Sequence, residues 1–166
     1  MPPRRTRQTA PSPEEYSAFI AQLDVAAVWL RNATIHNHHG PESPEHARAD
    51  IKATASWEPA AQGFRARHHY EVSLMFDSTR LADLGVTFGV DYRSERPMTD
   101  ELFELFGTHN LPVNTWPYLR EFVANTLGRM QWIPLTLPAW KSGVVDGPEQ
   151  RPAPRRRRAV EEPAKD

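Results

Sequence analysis

Four histidines, His36, His38, His39 and His46, stand close together in the first third of this chain. The tract His-Asn-His-His has the composition of a metal site. Its surroundings argue otherwise. Gly40, Pro41 and Pro44 mark a loop, and no carboxylate pair stands at a recognised ligand spacing, so these read as loop histidines. His68 and His69 are neighbours in a run of strand character and therefore point to opposite faces, where they cannot share a ligand. The chain has no cysteine, which excludes disulfides, thiolate chemistry and cysteine-based zinc sites. No glycine-rich phosphate loop, nucleophile elbow or dinucleotide fingerprint occurs. Glu14, Glu15 and Glu121 fit helix surfaces and caps better than catalytic acids. The expectation is a protein that is not an enzyme, with no metal and no cofactor.

Basic residues raise the question of nucleic acid. Lys52, Arg65, Arg67 and His69 fall on one side of the candidate strands, but by parity Asp50, Glu58, Glu71, Asp83 and Asp91 share that side. A phosphate-binding surface is predominantly basic, and the formal net charge here is −1, so nucleic acid is not the expected partner. The run Arg155–Arg158 is followed at once by Glu161, Glu162 and Asp166, the pattern of a solvated tail.

The 166 residues, 39% of them apolar, suit one modest domain. Residues 1–11 and 142–166 are rich in Pro, Arg, Glu and Gly and read as disordered tails flanking a domain over 12–141. No apolar stretch is long enough to span a bilayer, and the basic N-terminus leads into no apolar signal core, so the expected location is the cytoplasm without membrane insertion.

Within the domain, Ser12, Pro13 and Glu15 form a capping box ahead of Tyr16, Phe19, Ile20 and Leu23, which share one helical face. Val25–Ile35 is rich in β-branched and aromatic residues but ambiguous in its alternation. Three clear period-2 runs follow: Ala49–Trp57, Phe64–Phe76 and Ala82–Tyr92. Alternation of this kind belongs to a sheet buried on one face, and the short connections between the runs require antiparallel pairing. Thr99–Phe106 predicts a short helix ended by Gly107. A longer helix is expected from about Thr115, capped by Asn114 and tolerating Pro117 in its first turn. Trp116, Tyr118, Leu119, Phe122, Val123, Thr126, Leu127 and Met130 then spread over roughly half of its circumference, more than the arc of about 100° that packing on one sheet requires. The surplus predicts a second apolar contact, to an oligomer partner or to a client.

The next segment, Ile133-Pro134-Leu135-Thr136-Leu137-Pro138, is apolar, yet its prolines keep it out of a helix or a sheet centre. Trp116-Pro117-Tyr118-Leu119-Arg120-Glu121, with Arg129 further on and this proline-flanked segment after it, resembles the corresponding helix and loop of SecB-type export chaperones. Four antiparallel strands before the helix agree with that family, and the resemblance covers about residues 25–140. It implies an ATP-independent holdase, a dimer of dimers, that binds unfolded preproteins and hands them to the SecA translocase motor; some members instead serve an antitoxin of a toxin–antitoxin system. It also makes Tyr118, Phe122, Trp132, Ile133, Leu135, Leu137 and Trp140 the expected client contacts. Three features depart from the pattern: the helix before the first strand, the lack of a second long helix after the loop, and Arg155–Arg158 where export members carry an acidic tail. These departures weigh against SecA coupling and toward an antitoxin-directed role.

The expected fold is therefore α+β: a four-stranded antiparallel sheet with an N-terminal helix and a long C-terminal helix packed on one face. Ala124 and Gly128 lie four apart on the long helix, opposite its apolar arc. A helical glycine costs about 1 kcal/mol relative to alanine, which suggests close approach of a partner helix in a homo-oligomer.

Overall fold

The computed structural model describes residues 11–140. The segments read as tails, 1–11 and 142–166, lie outside the described residues except for Pro11, and so does Arg155–Arg158. Seven elements follow one another: α1 (Pro13–Ala21), β1 (Asp24–Asn37), β2 (Arg48–Ala60), β3 (Gly63–Phe76), β4 (Thr79–Arg93), α2 (Asp100–His109) and α3 (Leu111–Arg129). The α+β architecture read from the sequence is the one observed.

The strands form one antiparallel sheet in the order β1-β4-β3-β2. β2, β3 and β4 are joined by tight hairpins, while residues 38–47 carry the chain from β1, beside β4, to the opposite edge, which is a Greek-key connection. Gly63 opens β3 at φ 150°, where an added Cβ would lie 2.2 Å from the Tyr92 carbonyl oxygen; only glycine fits this close crossing of backbones. The even-numbered residues of β3 from Phe64 to Leu74 and of β4 from Ala82 to Tyr92 are buried on one face, as their alternation requires. Their odd-numbered neighbours form the opposite face, where Arg65 pairs with Asp91 at 2.7 Å and Arg67 with Glu58 at 2.6 Å.

β1 departs from simple alternation because its register shifts twice against β4, between Val25 and Ala27 and between Leu30 and Asn32. Each shift inserts an extra residue, so that Val28, Leu30, Ala33 and Ile35 all lie on the helix-bearing face opposite Val90, Phe88, Val86 and Leu84. On β2 the inward parity of Ala53 and Ala55 is correct, but both are exposed on this edge strand.

The capping box predicted for α1 forms in full, and Phe19 is buried with Phe64, Tyr92, Phe106 and Leu111 at one end of the sheet. Two helix boundaries differ from the sequence expectation. α2 continues through Gly107 to His109, and α3 begins at Leu111 rather than Thr115. Asn114 is thus inside α3, where its side chain donates to the Tyr92 hydroxyl at 2.8 Å instead of capping. Pro112 occupies the first turn, the place where a missing N–H does no harm, and Pro117 lies within the helix on its exposed side. α3 packs over β3 and β4, burying Leu119, Val123 and Leu127 against Val72, Leu74, Leu84 and Val86.

Candidate functional site

α3 divides the helix-bearing face into two grooves. Thr115, Leu119, Val123 and Thr126 point toward the sheet and are buried. At 100° per residue, Trp116 and Arg120 lie on one flank of that line, and Tyr118 and Phe122 lie on the other.

The flank of Tyr118 and Phe122 faces β1 and is open. Tyr118 rests on Phe88 with ring centroids 6.1 Å apart and stays 44% exposed. Across Phe88 stands Leu30, its register partner, at 51% exposure, and along the same strand face Ile35 is 47% exposed. α3 lies over β3 and β4 and leaves β1 uncovered, so Leu30 and Ile35 stay exposed beside the buried Phe88, Val86 and Leu84. Phe122 is half-buried against the core beside it. Apolar side chains exposed in a continuous row, rather than singly, mark a contact surface. Tyr118 and Phe122 lie in the surplus arc and were named as client contacts by the resemblance; Leu30 and Ile35 were not singled out, because the two bulges hide their common face.

The flank of Trp116 and Arg120 is filled by the chain's own residues 132–140, which have no regular secondary structure and pair with no strand. Gln131, at φ 63°, turns the chain back at the end of α3. Of the expected client contacts, Trp132 at 4% exposure and Leu137 at 1% belong to the buried core. Leu135 and Trp140 are half-buried against that core, and Ile133 stands out at 79% exposure. The segment expected to be one contact surface therefore has two sides, and only one of them is free. Trp132 also borders a cleft of about 270 Å³ that Ile133, Pro134 and Leu135 line together with residues 44–47.

Ala124 is half-buried and Gly128 is exposed, with open space where a Cβ would be.

Beneath α3 lies a buried polar network. Thr115 Oγ1 is 2.8 Å from both His68 Nδ1 and the Tyr70 hydroxyl and donates to the Leu111 carbonyl at 3.1 Å. Thr115 has one proton to give; donated to Leu111, it leaves the hydroxyl to accept from both partners, with His68 as the neutral tautomer protonated at Nδ1, whereas donated to His68 it requires the other neutral tautomer. Burial, with a smaller push from His69, lowers the His68 pKa to about 4. Burial likewise raises the Tyr70 phenol above its ordinary range against the opposing bond to Thr115. Both groups are uncharged at neutral pH, and the network ties α3 to β3 without burying a charge.

Of the four histidines read as loop residues, His36 instead lies in β1, where its ring stacks on that of His38 at 6.3 Å. His38 Nε2 is 3.0 Å from Asp83 Oδ2, and His39 stands edge-on to Trp132 at 5.8 Å. Among the described residues no group of three or more His, Cys, Asp or Glu side chains is placed to hold a metal ion, and no helix is long and apolar enough to cross a membrane.

Comparison with models of known protein families gives no match, and comparison with curated proteins gives none either. Solved structures do match. One is the Mycobacterium tuberculosis SecB-like chaperone Rv1957 in complex with a ChAD peptide from the HigA1 antitoxin, which aligns with a TM-score of 0.67 at 18% identity over 75% of this chain and 95% of the other. The four-stranded antiparallel sheet followed by a long helix thus belongs to a SecB-like fold.

Proposed function

We propose that the protein is an ATP-independent chaperone that holds unfolded polypeptide segments through apolar contacts. The observation that carries this reading is the exposure of Leu30, Ile35 and Tyr118, with half-buried Phe122 beside them, on the helix-bearing face. A row of half-exposed apolar side chains suits an extended client, whose own apolar residues it shields from other chains. Ile133, Leu135 and Trp140 extend the contact at the end of α3, with Trp132 and Leu137 supporting them from beneath.

The clients are unfolded preproteins or an antitoxin, and the protein works as a homo-oligomer in the cytoplasm. The antitoxin alternative draws support from the antitoxin peptide held by the similar chaperone. Handover to SecA is the weaker of the two continuations, given the basic run Arg155–Arg158. Ala124 and Gly128 are the proposed helix contact between protomers.

Light scattering from a chemically unfolded substrate, diluted into buffer without nucleotide, tests the reading. Scattering falls at near-stoichiometric chaperone if it is right; unchanged aggregation across a range of ratios would count against it. A panel of unfolded clients separates the two kinds of partner. A general holdase binds them with similar affinity, whereas a dedicated one prefers its antitoxin by tenfold or more.

A further inference from the structure

The two edges of the sheet differ in regularity. The outer edge of β1 is interrupted by its two bulges, which break the run of outward-facing backbone groups. β2 is continuous, and its 13 residues pair with β3 without a register shift. Among the described residues no strand pairs with its other side. The turn Ala61-Gln62 is closed by Ala60 opposite Gly63, and these two exchange backbone hydrogen bonds, because the alternative pattern would need an N–H from Pro59, which has none. The even-numbered residues of β2 therefore spend their N–H and C=O groups on β3, while Ala49, Ile51, Ala53, Ala55 and Trp57 present theirs outward. Such an edge is a template for another strand.

We propose that a second copy of this chain docks on the β2 edge, antiparallel about a two-fold axis at Ile51, joined by a backbone ladder and by reciprocal Asp50–Lys52 pairs. The contact is separate from the client surface and from the proposed α3 contact, and it does not rest on the chaperone reading. On the face away from the helices β2 carries Arg48, Asp50, Lys52, Thr54, Ser56 and Glu58 at every second residue. About an axis at Ile51, Asp50 stands directly opposite the partner's Lys52, and Lys52 opposite the partner's Asp50. On the helix-bearing face Ile51 meets its own counterpart, and Ala49 meets the partner's Ala53, which is exposed in the single protomer. The same charges block the neighbouring registers. An axis at Asp50 or Lys52 sets that residue against itself, and one at Thr54 sets Asp50 against Glu58. An axis at Ala53 or Ala55 relies on Glu58, which Arg67 already holds at 2.6 Å, and the second of these also brings Pro59 into the ladder without a donor. Lys52, by contrast, makes no ion pair among the described residues, since its register partner Glu71 lies 3.8 Å from His69 instead. Asp50 has Arg48 of its own strand at 3.3 Å, and both are exposed. A charge in the middle of an edge ordinarily keeps other strands away. Here the signs alternate, so the strand that this edge admits is β2 itself.

Charge swaps test the contact. Asp50→Lys and Lys52→Asp each set like charges across the axis, and both change exposed side chains, so each variant keeps its fold, as circular dichroism checks. Native mass is measured by light scattering after gel filtration at one fixed protein concentration. Each single variant is expected at half the parent's mass. An equimolar mixture of the two is expected to recover the parent's mass, because one chain then offers only positive side chains at 50 and 52 and the other only negative ones. The double variant, Asp50→Lys with Lys52→Asp, exchanges the signs and is expected to recover that mass by itself. Single variants that keep the parent's mass overturn the proposal. So do single variants that fall in mass while the mixture or the double variant stays small, since the loss then lies in the strand and not in its pairing. A parent of protomer mass overturns it too, and leaves the edge to a client strand or to solvent.

Discussion

Trp132 and Ile133 are adjacent, both large and apolar, and the structure assigns them opposite fates. Replacing them separately tests the proposed contact surface. Ile133 is 79% exposed, so Ile133→Ser removes only about one fifth of the stabilisation of a buried isoleucine, or about 0.3 to 0.6 kcal/mol. Trp132 is 4% exposed, and Trp132→Ala removes a large core side chain at about 3 to 5 kcal/mol. It also deprives the Gly40 carbonyl of its indole donor. In a domain of this size the first change shifts the melting temperature by no more than about 2 °C and the second by roughly 6 to 20 °C. Client affinity measured below both transitions should behave in the opposite sense. If a client buries the Ile133 side chain, Ile133→Ser costs binding about tenfold, since 1.4 kcal/mol corresponds to a factor of ten. Urea denaturation followed by tryptophan fluorescence supplies the stabilities, and fluorescence anisotropy of a labelled unfolded client supplies the affinities. An Ile133→Ser protein destabilised by more than 2 kcal/mol, or one that binds as tightly as the parent, would refute the separation of the two sides.

Other expectations follow from particular contacts. Tyr118→Ser together with Phe122→Ser should weaken client binding by at least tenfold with a smaller loss of stability than Leu119→Ala, as judged by anisotropy and urea melts; equal losses in both measurements would make these residues ordinary core. His68 has a pKa of about 4 in the folded chain against about 6.5 unfolded, so the unfolded state binds more protons between these values and stability falls on acidification. From pH 7 to pH 5 that loss is about 2 kcal/mol, and His68→Leu should flatten this part of the stability profile measured by urea titration. A Cβ at residue 89 would lie 2.3 Å from the Trp29 ring, so Gly89→Ala should destabilise by about 1 to 3 kcal/mol, and Trp29→Ala in the same chain should remove most of that penalty. Gly128→Gln should raise local helix propensity and, if the proposed helix contact exists, reduce the native mass seen by light scattering after gel filtration; an unchanged oligomer with a higher melting temperature would redirect attention to the exposed edge of β1.

How much of this was legible in the sequence depended on whether a local period survived tertiary packing. β3 and β4 were legible because every even position meets a helix or a neighbouring strand. The α1 cap was legible because its partners are all within three residues. The start of α3 was not: Asn110, the residue that precedes it, makes no side-chain cap bond, and the first turn is fixed by burial of Leu111 and Pro112, contacts with distant residues that a local cap signal does not report. β1 hid its exposed row because two bulges break the period of two.

The segment after α3 sets the firmest limit. Proline removes its helical and strand alternatives, so its character as an extended apolar strap could be read directly. Which of its side chains turn inward could not, because an irregular segment has no period to extrapolate. That choice is made by Gly40 and Ser43 on one loop and by Trp116 and Arg120 on α3, each binding a particular atom of the strap. Trp116 and Arg120 belong to the very motif that carried the family resemblance. Their role toward backbone carbonyls explains why a tryptophan and an arginine are useful one turn apart on this helix: each brings a long, partly apolar stem that packs on the groove and a donor that reaches past it. A leucine at either place would fill the same space and leave a strap carbonyl unpaired.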